Sequence, residues 1–354
     1  MKTLLMLFAC FFLSVSCNRN SKTERLFANS ELIAGDYIFN DNMFGKTRSL
    51  VGQSTLLDTV IFRLKEPQML VKDKHLIIRN LGENFLLFKL PDIKFQKKTG
   101  KTGSGPNEFT YPLLVPTASP SLLCYIYEWT TQKLYSLDNS GEITPCHFSI
   151  FHDGMSNKQV VNIGQDDFIY AENTKKGRQI YRSTQVKDSI ITRELIDLAF
   201  DPSLESFIPY QGNLAVNVAK NRMVYAYMYY KKLMFMDLNA ETVKSISYKG
   251  ETEFDAKTIS IADGLDLNVT HYWRVYGGEK FVYALHIGRK PVETMERKKR
   301  GKYETYIEKY DWDGNPICKY MLDQFGVFAI DEGSNRLYLL SFDHDDPLFV
   351  YKLN

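Results

Sequence analysis

The sequence is poor in most of the features that announce a reaction. Lysine plus arginine (44) nearly balances aspartate plus glutamate (42), so the basic excess by which a nucleic-acid binder gathers phosphates is missing. Only five cysteines occur. Cys10 falls in an N-terminal apolar stretch, and Cys124, Cys146 and Cys318 are odd in number, widely spaced and without a Cys-x-x-Cys pair. Neither a disulfide framework nor a thiolate metal site follows. The six histidines never stand as His-x-x-x-His or His-Glu-x-x-His, and no Gly-x-Ser-x-Gly elbow is present. The zinc-protease and α/β-hydrolase signatures are therefore absent. Beyond residue 17 no apolar run approaches the ~20 residues that cross a bilayer as a helix. Helical periodicity is scarce, and its best window, residues 189–200, is short.

Two Gly-Lys-Thr triplets suggest a phosphate loop and then fail its requirements. That loop needs a glycine five positions before the second one, and a helix after it. Counting back from Gly100 gives Phe95, and from Gly45 gives Asn40. Gly103, Gly105 and Pro106 would break a helix after Thr102. No nucleotide is expected.

What is present begins at the N-terminus. Lys2 is followed by an apolar stretch over residues 4–15, interrupted by Ser14, and then by Ser16 and Cys17. A short positive region, a dozen apolar residues and small residues before a cysteine make a secretion signal that resembles a bacterial lipoprotein signal. The resemblance implies cleavage after residue 16 and lipidation of Cys17, with acyl chains anchoring the product at roughly 0.8 kcal/mol per buried CH₂. Residues 17–30 read as a polar, lipidated tether. They lack an acidic run, which favours the periplasmic side of the outer membrane over the cell surface.

The body, residues 31–354, is rich in tyrosine (22) and phenylalanine (23), residues that favour strands. Strand-like runs such as KHLIIRN, LLCYIYEW, RMVYAYMYY and RLYLLSF recur. Each is followed by a second strand and a turn built on Asp, Asn or Gly, which tolerate positive φ. The turns fall near Pro91, Asp138, Gln185, Asp237 and Asp311, at spacings of roughly 47, 47, 52 and 74 residues. The long interval holds RKPVETMERKKRGKYE, residues 289–304, read as a solvated surface insertion. A period of this length made only of strands predicts an all-β propeller of six four-stranded antiparallel blades. Residues 55–64 are expected to supply the strand that closes the ring. Cys124 then falls in the second strand of its blade and Cys146 in the fourth, about 9–10 Å apart, beyond disulfide reach.

This repeat accounts for GSGPNEFTYP, residues 103–112. The stretch resembles the Gly-x-Gly-Pro-x-Glu-Phe crossing between blades of NHL-type and related six-bladed propellers. In that role Gly103 and Gly105 permit a reversal, Pro106 fixes φ, and Glu108 and Phe109 follow, the phenyl ring packing between blades before Pro112 begins the next inner strand. Glu128 and Gln132 replace the Asp and Asn usual in such a blade. With the N-terminal signal, the whole chain resembles the TolB-like six-bladed propeller lipoproteins of Bacteroides and relatives. That resemblance implies a fold and a compartment, not a reaction.

No catalytic, cofactor-binding or metal-ligating residue stands out, and no cofactor is expected. DWDGN, residues 311–315, starts like a calcium loop, but the glutamate required eleven positions on is Leu322, so a hairpin turn is expected. Trp129, Trp273 and Trp312 are read as blade-packing residues that could alternatively stack on sugars. The expectation is a non-catalytic envelope lipoprotein, held to the membrane by its lipid, whose propeller docks a protein or glycan and binds no nucleic acid. The alternative is a pore-centred lyase or hydrolase with residues gathered from several blades.

Overall fold

The second strand of the first repeat, His75–Asn80 (HLIIRN), is buried along its whole length rather than at alternate residues. Such a strand needs cover on both faces. Leu76 and Ile78 pack against one neighbouring sheet, while Ile77 packs against the other. Repeated around the chain, this produces six sheets stacked face to face in a ring. The computed structural model describes residues 36–353 apart from 58–59, 64–65, 81–83, 106, 150–154, 176, 202, 249–253, 255–258 and 261–264.

Each blade is four antiparallel neighbours, in chain order in blades 1 to 5. Blade 1 is Gln68–Lys72, His75–Asn80, Asn84–Lys89 and Lys94–Thr99. Blade 2 is Pro112–Val115, Leu122–Glu128, Lys133–Asp138 and Ile143–Ser149. Blade 3 comprises Met155–Gly164, Asp167–Asn173, Arg178–Val186 and Ser189–Asp197, and blade 4 Gly212–Asn217, Arg222–Tyr227, Lys232–Met236 and Thr242–Tyr248. Blade 5 is Thr270–Gly277, Phe281–Arg289, Thr305–Asp311 and Pro316–Leu322. Blade 6 takes Gly326–Asp331, Arg336–Ser341 and Leu348–Lys352 from the C-terminal region and Gln53–Ser54 from the N-terminal region. Six apolar clusters, one for each blade–blade contact, form the core.

The turns at Asp138, Asp237 and Asp311 share one construction. Each carboxylate accepts from the backbone N–H two and four residues on: Ser140 and Glu142, Asn239 and Glu241, Asp313 and Asn315, at 2.8–3.0 Å. An aspartate closing its own turn in this way is an Asx turn, and DWDGN is a hairpin. The insertion at residues 289–304 carries a fully surface-borne helix, Pro291–Lys299. Cys124 and Cys146 lie in the second and fourth strands of blade 2 as free thiols.

One expectation is corrected, and the short window with the best helical periodicity, residues 189–200, resolves as strand: Ser189–Asp197 is the outer strand of blade 3. Its residues Ile190 and Ile191 are both exposed, one on each face of this edge strand. The ring is closed not by residues 55–64 but by Gln53–Ser54, which pairs with Phe349 and Val350, extended by the Thr55 N–H donating to Leu348 O at 2.8 Å.

The closing strand is the end of a longer strap. Asp36–Phe39 adds in parallel to the outer edge of blade 4, and Arg48–Leu50 adds in parallel to blade 5. Between them Phe44 enters the core of the blade 4–blade 5 contact, its ring 5.3 Å from that of Tyr310. Asp323 holds the end of the strap, accepting from Gly52 N–H at 3.1 Å and from Tyr351 O–H at 2.7 Å. A side chain at position 52 would meet the Tyr351 ring at 2.6 Å, so glycine is required there by contact rather than by conformation.

Candidate site at the mouth of the channel

The inner strands of all six blades surround a central cavity of about 590 Å³, a size suited to a small ligand. Its walls are mainly apolar, with Leu70, Leu114, Val161 and Phe328 among them. The polar side chains of the wall are engaged in joining neighbouring blades. Gln68 accepts from Leu114 N–H at 2.7 Å, Gln159 accepts from Leu214 N–H at 2.9 Å, and Asn213 donates to Trp273 O at 3.1 Å.

One end of the cavity differs from the rest. Inner strands begin there and second strands end, and the same face carries the crossings from blade to blade. Arg79, Glu128 and Met228 lie at or beside the ends of their second strands, and Tyr111 and Trp273 at or beside the starts of inner strands. The crossing motif builds part of this rim. Residues 101–102 pair in parallel with Glu108–Phe109. Glu108 accepts from Gly105 N–H at 2.9 Å. Gly103 has φ +155°, and a Cβ there would stand 2.1 Å from that carboxylate. Phe109 is 1 % exposed and packs edge-on against Phe85 of blade 1 and Tyr135 of blade 2. Pro112 starts the next inner strand. Cys17 and Pro106 lie outside the described residues.

Glu128, the residue that departs from the usual blade pattern, fixes the end of this crossing. It is 2 % exposed and accepts from the backbone N–H groups of Thr110, Tyr111 and Thr130 at 2.9, 3.0 and 3.1 Å. A carboxylate so occupied positions backbone. What it positions is Tyr111, whose ring lies 5.4 Å from that of Trp129 and 4.6 Å from the guanidinium of Arg79, within cation–π reach. The Tyr111 hydroxyl donates to Glu66.

Arg79 is 1 % exposed, and Glu66, largely exposed, stands 4.0 Å from its Nη2. Arg79 Nε and Nη2, Arg274 Nε and Trp273 Nε1 are buried and, among the described residues, have no acceptor. Burial disfavours the charge on Arg79, with Glu66 and Glu128 opposing. Arg274 is pushed down to about 10, first by burial and then by the like charge of Arg79. All of these but Glu128 line the cavity.

A second ionisable group lies inside blade 5. The rings of His271 and His286 stack at 5.8 Å. Glu308 is fully buried, accepting from Tyr272 O–H at 2.9 Å and Tyr310 O–H at 2.8 Å, with Lys319 Nζ at 3.4 Å and His286 Nδ1 at 3.7 Å. None of these side chains lines the channel cavity. Among the described residues no three His, Cys, Asp or Glu are arranged to hold a metal ion.

Burial, then the charge of Lys231, pushes His271 down to about 4, and the same causes depress His286 further. Both rings are neutral in the fold and take up a proton more readily once unfolded, so stability is full above pH 6.5 and is lost as pH falls toward 4. For His271 the loss between pH 7.5 and pH 5 is about 2 kcal/mol. Urea midpoints measured across that range should fall, and fall less in His271→Phe. A flat profile would show that the rings titrate alike in both states.

Of the three tryptophans read as blade-packing residues, with sugar stacking as the alternative, Trp129 and Trp273 line the cavity. Trp312 instead packs between blades 4 and 5, its Nε1 donating to Gly278 O at 3.1 Å. Arg79, Arg274, Tyr111 and Glu66 were missed. They come from blade 1, blade 5 and the connections before blades 1 and 2, and no sequence spacing joins them.

A family model described as TolB-like 6-blade propeller-like matches residues 43–332. Among solved structures, a member of the DUF4221 family from Bacteroides vulgatus superposes with a TM-score of 0.53 at 12 % identity, covering 87 % of this chain and 98 % of that one. A Bacteroides fragilis protein classed as exported superposes with a TM-score of 0.48 at 11 % identity, covering 90 % and 97 %. At these identities the likeness concerns the fold alone. No curated protein matches the chain.

Proposed function

Because the chain belongs to the TolB-like 6-blade propeller-like family, we propose that it is a non-catalytic envelope lipoprotein that uses its propeller as a binding platform, with the crossing-face mouth of the channel as the site. The anchor is a lipid on Cys17 on the periplasmic side of the outer membrane, and the mass of the N-terminal peptide reports that lipid. The observation that carries the binding reading is the cavity of about 590 Å³, in which apolar wall, half-buried Trp129 and Trp273, and acceptor-less N–H groups meet. Large aromatic faces beside a few convergent polar groups are what a ligand site requires. A pore-centred lyase or hydrolase would need a pair of catalytic groups at the mouth. Among the described residues the exposed carboxylate there is Glu66, which accepts from the Tyr111 hydroxyl and faces Arg79, whereas Glu128 is engaged with backbone N–H groups and the histidine pair lies inside blade 5.

The test is a thermal-shift screen of oligosaccharides and peptides against the wild type and Leu114→Trp, which narrows the channel. A ligand that binds only the native fold raises the melting temperature. The expected result is a ligand whose shift disappears in Leu114→Trp. Ligands that stabilise both proteins equally would place binding elsewhere on the ring.

A further inference from the structure

The mouth of the channel has an uneven deficit. Its wall amides are matched to backbone groups of the next blade. Among the described residues its buried, unmatched polar atoms are all donors: two N–H positions on Arg79, one on Arg274 and the indole N–H of Trp273. A buried donor without an acceptor costs about 1–3 kcal/mol and calls for an explanation. Both guanidiniums line the one cavity, and the charge of Arg79 disfavours that of Arg274, so an anion bound beside them would relieve both. The ring faces of Tyr111 and Trp129 stand beside that place.

We propose that the mouth binds a sugar bearing a carboxylate, a uronic-acid-type pyranose, with its carboxylate on Arg79 and Arg274 and its ring against Tyr111 and Trp129. This inference rests on the reading of the channel mouth as the binding site. Guanidinium is the side chain best shaped for a carboxylate, because its parallel N–H groups can engage both oxygens. The aromatic pair supplies a flat apolar face for the C–H side of a pyranose. Glu66 is the internal competitor. Its carboxylate sits 4.0 Å from Arg79 Nη2, too long for a hydrogen bond, and its side chain is 54 % exposed. The other acid near Arg79 is Glu128, whose oxygens are taken by Thr110, Tyr111 and Thr130. A ligand carboxylate therefore displaces Glu66 and leaves Glu128 in place.

Calorimetric titration with digalacturonic acid and with its neutral galactose counterpart tests this. The acidic sugar should bind at least about ten-fold more tightly than the neutral one. Arg79→Gln should lose about ten-fold, and Glu66→Gln, a surface change that leaves the core intact, should gain affinity. Equal binding of both sugars, binding of neither, preference for a peptide with a free C-terminal carboxylate, or weaker binding by Glu66→Gln would each overturn the inference. If both sugars bind equally and Leu114→Trp blocks them, the channel reading survives and only the carboxylate assignment falls. If Leu114→Trp leaves acidic-sugar binding unchanged, the channel reading itself fails.

Discussion

Replacing Glu308 by alanine will lower the unfolding free energy by about 3–5 kcal/mol. The carboxylate is fully buried among four partners: the hydroxyls of Tyr272 and Tyr310, the ammonium of Lys319 and the imidazole of His286. Removing it takes an acceptor from two buried phenols and takes away the carboxylate that stands 3.4 Å from the buried Lys319 ammonium, close to two histidines and Lys231. Breaking a buried pair from one side is far more damaging than replacing the whole set by apolar residues. Glu308→Gln, which keeps an acceptor but not the charge, should lose less. Chemical denaturation at pH 7.5 decides the matter. A loss below about 1 kcal/mol for Glu308→Ala would mean that solvent reaches the cluster.

Phe109→Ala should cost a similar amount, about 3–5 kcal/mol. The ring joins two sheets that share no backbone pairing, touching Phe85 on one side and Tyr135 on the other at 5.8 and 5.0 Å. Its removal opens a cavity in a blade–blade contact that the flat sheets cannot close by small shifts. Phe109→Leu fills most of that space and should lose much less. Because Tyr111 follows two residues later on the same crossing, the alanine variant should also loosen the rim of the channel. Near-native melting of Phe109→Ala would show that the crossing packs without it.

The architecture was readable because each blade contributes strong local signals. Two-sided burial produces continuous apolar runs such as LLCYIYEW, and Asx turns put aspartate at fixed places. The crossing motif was legible for the same reason, since its glycines, Glu108 and Phe109 act on one another within a few residues. The strap was not legible. DYIF, RSL and QS are too short to show a period, and their partners lie more than two hundred residues away. The helix Pro291–Lys299 was read only as an insertion because it buries no side chain and so has no apolar stripe to announce it. The channel mouth was half legible. Tryptophans are rare enough to notice, whereas Arg79 and Arg274 resemble any other arginine until the ring brings blades 1 and 5 to a common rim.

The strap also sets an order of events in time. Its residues, 36–54, are made first, but their partners are residues 242–248, 316–323 and 348–351. At about 5–20 residues per second of synthesis, the last of those partners follows the strap by roughly 15–60 s. Until residues 245–248 are made the N-terminal segment has none of these strands to pair with, and the ring stays open until residues 348–351 follow. Under the export proposed above, this delay would let the first residues pass a secretion pore before the strands that hold them exist. The same dependence makes the finished protein sensitive to shortening at its other end: a chain stopped before residue 348 could not seat Gln53–Ser54.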